Sequence, residues 1–325
     1  MTAVPCVDWQ VATAAGRLLT PAGPDVSRSE ATAIVADLRA CAVRATEAVA
    51  DASELAAPAS AEVLVVGRDS WVTAATSMAS AMLGAIGQRP ATTLAERVGS
   101  RLAGAQLGSA FGFVATRILG QFDPYSPVRR LLLVAPNIVT AERAMGADPH
   151  GFRQWVCLHE ETHRLQFGAA PWLAHYLLEL MRQIFDDDGE PVEPAPAKAR
   201  TIRLLSATQA ATLDRVTAVM SLLEGHADVM MDRAGVGLVP NLDRYRSAFE
   251  ARRDAPGFAQ VISRLLGLRA KREQYLHGAG FCRAVIAEAG VAGLNVALRS
   301  PATLPTPAEL HRPEDWLRRV PERVG

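Results

Sequence analysis

His159-Glu160-Glu161-Thr162-His163 brings together the residue types that hold and use a divalent metal. Two histidines four apart lie one above the other on a helix face, so their imidazole nitrogens can reach one metal ion from the same side. Glu160 sits one step round the helix, where its carboxylate can hold a water at that metal as general base. The pattern is H-E-x-x-H, the zinc-peptidase signature. A chance match arises in roughly one sequence of this composition in a hundred, so the surroundings must carry the reading. The competing explanation is a pair of part-buried histidines, each satisfied by a hydrogen bond.

A zinc site of this kind needs a third protein ligand and an open position for water. Glu224, in Leu222-Leu223-Glu224-Gly225-His226-Ala227-Asp228, is the best candidate. It borders an apolar stripe of Leu213, Val216, Met220, Leu223, Ala227 and Met231. A carboxylate there needs a partner, and a bound cation is one. The alternative partner is an Arg or Lys. Glu224 and Asp228 form E-x-x-x-D, in which the Asp accepts a hydrogen bond from the far ring nitrogen of a ligating His and fixes its tautomer. Gly225 costs helix stability, about 1 kcal/mol against Ala, and close approach to another helix would explain it. His226 is two residues from Glu224 and points to a different side.

Two helices must present these groups. Asp148-Pro149 is a helix start, with Asp as N-cap and Pro at the first helical position. The helix is expected from about Pro149 to about Phe167, with Gly168 and Pro171 at its end. Phe152, Trp155, Val156, His159 and His163 share its apolar face, with Arg153, Gln154, Glu161 and Arg164 mostly elsewhere. Ser206-Ala207-Thr208-Gln209 fits a capping box, opening a long helix to about Ala234 with Gly235 as its stop. The acidic, Pro-rich run from Asp186 to Pro196 reads as an exposed loop between them.

Elsewhere, Ser27 to Glu30 fits another capping box and opens a helix with Val35, Leu38, Ala42, Ala45 and Val49 on one face. Val63–Val66 is a short strand or buried turn. Asp69-Ser70-Trp71 starts a helix, and Pro90 separates it from the next. Residues 102–119 are apolar, with Gly104, Gly108 and Gly112 at G-x-x-x-G spacing. That spacing suits a membrane helix or a soluble core helix that packs closely; Gln106, Ser109 and Arg117 favour the latter. Arg130–Val134 reads as a strand, followed by a short helix from Val139 to Met145. Zincin-type peptidases often place a strand beside the cleft, where a peptide can add as a further strand. Prolines 301, 305, 307 and 313 predict an extended C-terminal stretch, with a last short helix that carries Trp316.

The chain has 325 residues, 49% of them apolar, enough for a sizeable core. The fold class expected is mainly α: a zincin-like helical domain with an H-E-x-x-H helix, a second ligand helix and a few short strands. Its organisation is expected as one domain, an N-terminal helical part (about 1–120) packed on the metal-binding part (about 121–325). Lys plus Arg equals Asp plus Glu, 34 each, so nothing argues for a nucleic-acid or acidic-membrane partner. Cys6, Cys41, Cys157 and Cys282 are scattered without a C-x-x-C pair, which suits free thiols in a reducing cytoplasm. Residues Met1 to Gln10 lack the basic and apolar regions of a secretory signal.

The run from Val156 to Arg164, with Gln166-Phe167 and Pro171-Trp172-Leu173 after it, resembles the Zincin_2 family, also known as DUF2342. So do Leu119 to Pro124, Leu132 to Asn137, Glu224 to Asp228 and Gln274-Tyr275. The resemblance runs over nearly the whole chain and is closest to an actinobacterial branch associated with coenzyme F420 biosynthesis. It implies a largely helical zinc-dependent metallopeptidase with His159, His163 and Glu224 as zinc ligands and Glu160 as the catalytic residue. The tetrahedral oxyanion of peptide hydrolysis needs a further donor. Tyr275 is the first candidate, in a helix starting near Pro256, ahead of His277 and His226; a packed aromatic is its plainer explanation.

The expectation is therefore a cytoplasmic zinc hydrolase of gluzincin type, with peptides or proteins as substrates. The alternative is a zinc-bearing structural or partner-binding protein that serves the F420 pathway without turnover. Direct F420 chemistry lacks support, because no Gly-rich phosphate loop follows a strand.

Overall fold

The strand Arg130–Val134 is an unbroken run of Leu and Val after its first residue, the pattern of a strand buried on both faces. The computed structural model, which describes residues 6–57, 62–186, 206–240, 242, 245 and 277–320, places it at the centre of a three-stranded sheet. The strands are β1 (Glu62–Val66), β2 (Gly120–Asp123) and β3 (Arg130–Val134), in the order β1-β3-β2. β3 is parallel to β1 and antiparallel to β2. It is thus not an edge onto which a peptide could add; that position falls to β1 or β2.

Helices make up most of the rest. They are α1 (Trp9–Leu19), α2 (Arg28–Ser53), α3 (Arg68–Ala85), α4 (Leu94–Val114), α5 (Ala135–Met145), α6 (Pro149–Ala169), α7 (Leu173–Asp186) and α8 (Ala207–Ala234). After residue 276 come α9 (His277–Asn295), α10 (Pro307–His311) and α11 (Pro313–Arg319). The mainly helical class expected from the sequence is the one found. The acidic Pro-rich run beyond Asp186 lies outside the described residues.

Successive side chains of β3 point to opposite faces and separate two apolar clusters. Leu132 and Val134 join Trp71, Val72, Phe111 and Val114 of α3 and α4. Leu133 joins a larger cluster that runs from Ile34 and Leu38 on α2, through Trp155 and Leu158 on α6 and Leu222 on α8, to Trp316 on α11. The metal-motif helix and the Glu224 helix therefore share one core.

The glycines at 104, 108 and 112 act in a helix pair. A Cβ on Gly104 would stand 2.4 Å from the Asp8 carbonyl oxygen, and one on Gly108 would stand 2.3 Å from that of Ala12. α4 thus packs backbone to backbone on α1. The segment His277–Leu298 is long and apolar enough by composition to cross a membrane. Gly290, at φ 72°, breaks its helical path, and its first turn is pressed onto α8. A Cβ on Gly278 would lie 1.8 Å from the Ser221 oxygen.

Several local expectations shift. α5 begins at Ala135, directly after β3, with Pro136 in its first turn. On α2, Ile34 rather than Val35 leads the buried face, and the Ser27 hydroxyl accepts from the Glu30 N–H. The Pro-rich C-terminal stretch is more helical than extended. Thr306 caps α10 in a full capping box, and Trp316 donates to the Thr303 oxygen at 2.8 Å. Pro301, Pro307 and Pro313 occupy first-turn positions, where the missing N–H costs nothing.

Candidate metal centre

α6 starts where Asp148 accepts from the Gly151 N–H at 2.6 Å and ends past Gly168 at Ala169. Polar residues of the helix that lie off the histidine face are nevertheless enclosed. Gln154, Glu161, Arg164 and Gln166 are all buried, and the polar back of the helix is held by named partners. Arg164 Nε donates to Glu161 Oε2 at 2.5 Å and its Nη2 to Thr46 Oγ1 on α2 at 2.9 Å. Arg44 Nε reaches Gln154 Oε1 at 3.0 Å, and Arg153 spans Glu142 and Asp37. Burying these groups is tolerable because each is paired. The back of α6 is thereby fixed to α2 and α5, and the histidines face the other way.

α8 carries the predicted capping box at Ser206 and ends at Ala234. Gly235 follows in right-handed helical geometry, so it is not a left-handed stop. A Cβ there would meet the Met231 oxygen at 2.9 Å. The middle of α8 is buried on nearly every side. Met220, Glu224 and Asp228, one turn apart, form its least buried strip. Of the expected apolar stripe, Leu223, Ala227 and Met231 are buried, whereas Leu213, Val216 and Met220 are only partly buried and lead along the helix to Glu224. Gly225 makes the close approach anticipated for it: a Cβ would be 2.1 Å from the carbonyl carbon of Gly278.

His159, His163 and Glu224 come together. The two Nε2 atoms are 3.2 Å apart. Glu224 Oε2 is 3.5 Å from His159 Nε2, and Oε1 is 3.7 Å from His163 Nε2. Ligand atoms on a common tetrahedral centre at zinc bond lengths are about 3.3–3.5 Å apart, so the triangle has the right size for one ion. Each side chain keeps some exposure, 19%, 14% and 36% in that order. Among the described residues no fourth His, Cys, Asp or Glu joins the group.

Its electrostatics fit a cation at the centre. Burial pushes Glu224 up, but the facing His163 and His159 outweigh it and hold its carboxyl at about 2. Burial pushes His159 down, but the Glu224 hydrogen bond and the charges of Glu224, Glu160 and Asp228 raise it to about 9. Burial lowers His163. These charges favour a proton on His159, with which a divalent ion would compete.

Glu160 is buried against β2. A Cβ on Gly120 would lie 2.6 Å from both Cγ and Cδ of Glu160 and 2.9 Å from Oε1. Only glycine leaves room for the carboxylate there. Burial chiefly, with Glu224 and Glu161 adding and His159 opposing, pushes Glu160 up to about 7.

The remaining expected residues are placed less simply. Asp228 Oδ1 stands 3.9 Å from His159 Nδ1, beyond hydrogen-bond reach but close enough for charge attraction. Tyr275 lies outside the described residues. His277 packs against His311, with ring centres 3.9 Å apart and ring planes tilted by 48°. His226 is buried, with Nδ1 3.0 Å from Gln166 Nε2. Gly120 and Gln166 were not assigned roles from sequence. Each stands in a segment that carries the family resemblance, which was the available signal.

A second group, Asp37, Cys41 and His150, also gathers donor atoms. There Arg44 Nη2 lies 3.2 Å from Cys41 Sγ and 3.3 Å from His150 Nε2, and Arg153 Nη1 lies 3.0 Å from Asp37 Oδ2. Guanidinium groups already occupy the cation positions. All four cysteines are free.

Residues 7–317 match the sequence profile of the zincin-like metallopeptidases, Zincin_2. The chain belongs to this family. A similar solved structure is that of a proposed hydrolase with a novel fold from Chloroflexus aurantiacus. It is 28% identical, with a TM-score of 0.77 over 97% of this chain and 99% of the other. No curated protein matches. For this Zincin_2 chain, family and structural neighbour together support a hydrolase.

Proposed function

We propose that this chain is a zinc-dependent metallopeptidase of gluzincin type, with His159, His163 and Glu224 as the ligands and Glu160 as general base. The observation that carries the reading is the ligand triangle of 3.2, 3.5 and 3.7 Å with a buried carboxylate beside it. Zinc bound there would act as a Lewis acid, lowering the pKa of water towards 7 and polarising the scissile carbonyl. Glu160 would take the proton of the attacking water and pass it to the leaving amine. Burial raises that carboxyl, the direction that lets it hold a proton taken from water and return it. Gly120 keeps that carboxylate flat against β2, so its reach is fixed. Asp228 would hold His159 through charge. Tyr275 is proposed as the oxyanion donor.

A purely structural zinc has no use for a buried carboxylate one residue from a ligand. The test is Glu160→Gln, which keeps shape and removes the base. With a peptide library as probe, zinc-loaded wild type should cleave. The variant should keep one zinc per chain and lose about 10²–10⁴-fold in rate. A zinc-loaded wild type that cleaves nothing in the library would overturn the peptidase reading.

A further inference from the structure

We propose that Gln166 is a positioning residue that sets the tautomer of His163 and ties it to the backbone beside Glu224. Gln166 lies one turn beyond His163 on α6 and has no exposed surface. A buried amide left without partners is destabilising, so an apolar residue would fill this place at lower cost if packing were its whole role. Every polar atom of the Gln166 side chain is engaged. Nε2 is 2.8 Å from the Leu223 carbonyl oxygen and 3.0 Å from His226 Nδ1, and Oε1 is 3.0 Å from His163 Nδ1.

The direction of these bonds follows from one fixed point. The Leu223 carbonyl can only accept, so the NH₂ end of the amide must face it. The carbonyl end then faces His163 and must receive a hydrogen, which places the imidazole proton on Nδ1. His163 Nε2 is left as a lone pair, and it is the atom that meets His159 and Glu224 in the triangle. The same NH₂ donates to His226 Nδ1, so His226 carries its proton on Nε2. A neutral histidine's tautomer is set by the hydrogen bond its other nitrogen makes. Leu223 immediately precedes Glu224 on α8. One side chain therefore orients the second histidine and fixes the distance between the two ligand helices.

This inference rests on His163 as a metal ligand, so the test has an arm that needs no metal. In zinc-free protein labelled with ¹⁵N-histidine, His163 (assigned by its loss in His163→Asn) should carry its proton on Nδ1, and Gln166→Met should remove that preference. The second arm is zinc affinity by competition with a chelator. Gln166→Met should weaken it about 10- to 100-fold. Gln166→Glu keeps an acceptor for His163 Nδ1 while losing the donor to Leu223, so it should hold affinity within a few-fold of wild type although it melts earlier. A merely structural role would lower the melting temperature of both variants and leave both affinities alike. The inference is overturned if wild-type His163 carries its proton on Nε2, or if folded Gln166→Met binds zinc as tightly as wild type. If wild type takes up no zinc, the proposed function falls, and the tautomer arm still decides the role of Gln166.

Discussion

The two histidines proposed as ligands are supported from behind in different ways. His163 has a neutral amide at 3.0 Å, whereas His159 has the Asp228 carboxylate at 3.9 Å. Attraction at the longer distance survives only as charge, and charge is weaker than a formed hydrogen bond at a part-exposed position. Asp228→Asn should therefore lower zinc affinity by about tenfold, the bottom of the range for groups that orient a ligand. Chelator competition measures it, and an unchanged affinity would remove Asp228 from the site. Gly120 shows the same logic in reverse. Its contribution is the space it leaves for the Glu160 carboxylate.

The ligand helices are positioned by contacts on faces remote from the metal. α6 is fastened to α2 and α5 by buried ion pairs and amides, and α8 is fastened to α9 through Gly225 and Gly278. A methyl group on Gly225 would strike the α9 backbone, which cannot rotate away as a side chain can. Gly225→Ala should thus destabilise the fold by at least about 1–3 kcal/mol, the usual cost of overpacking, despite the better helix propensity of alanine. Denaturant unfolding of the metal-free protein gives the sign. A gain in stability would mean that α8 and α9 are not in backbone contact.

At the scale of the whole molecule, the proposed zinc is expected to add to the fold rather than organise it. α2, α6 and α8 share one cluster of apolar side chains, unlike small zinc domains whose metal replaces a core. Zinc held at one hundred times its Kd adds about 2.7 kcal/mol to stability. Stripping it with a chelator should lower the melting temperature by several degrees and leave the far-UV circular dichroism unchanged. Loss of helical signal on chelation at 25 °C would show that the zinc is part of the fold itself.

The sequence by itself determined what depends on local spacing. A four-residue interval places His159 and His163 on one face, Asp148 and Ser206 start the two helices of the candidate site, and Arg130–Val134 reads as a strand. These follow from the helical and strand periods and from backbone hydrogen bonds that short side chains satisfy. The tertiary structure decided what depends on contacts between distant segments. Glu224 reaches the histidines only because α6 and α8 pack together. Gln154 and Arg164 of α6 are buried because partners on α2 meet them, and Gln166 because α8 does, which periodicity cannot register. β3 is central because β1 and β2 flank it. Gln166 and Gly120 acquire their places from Leu223 and Glu160, 57 and 40 positions away along the chain. A side chain's role at such a range is set by packing, and packing is not written in any local pattern.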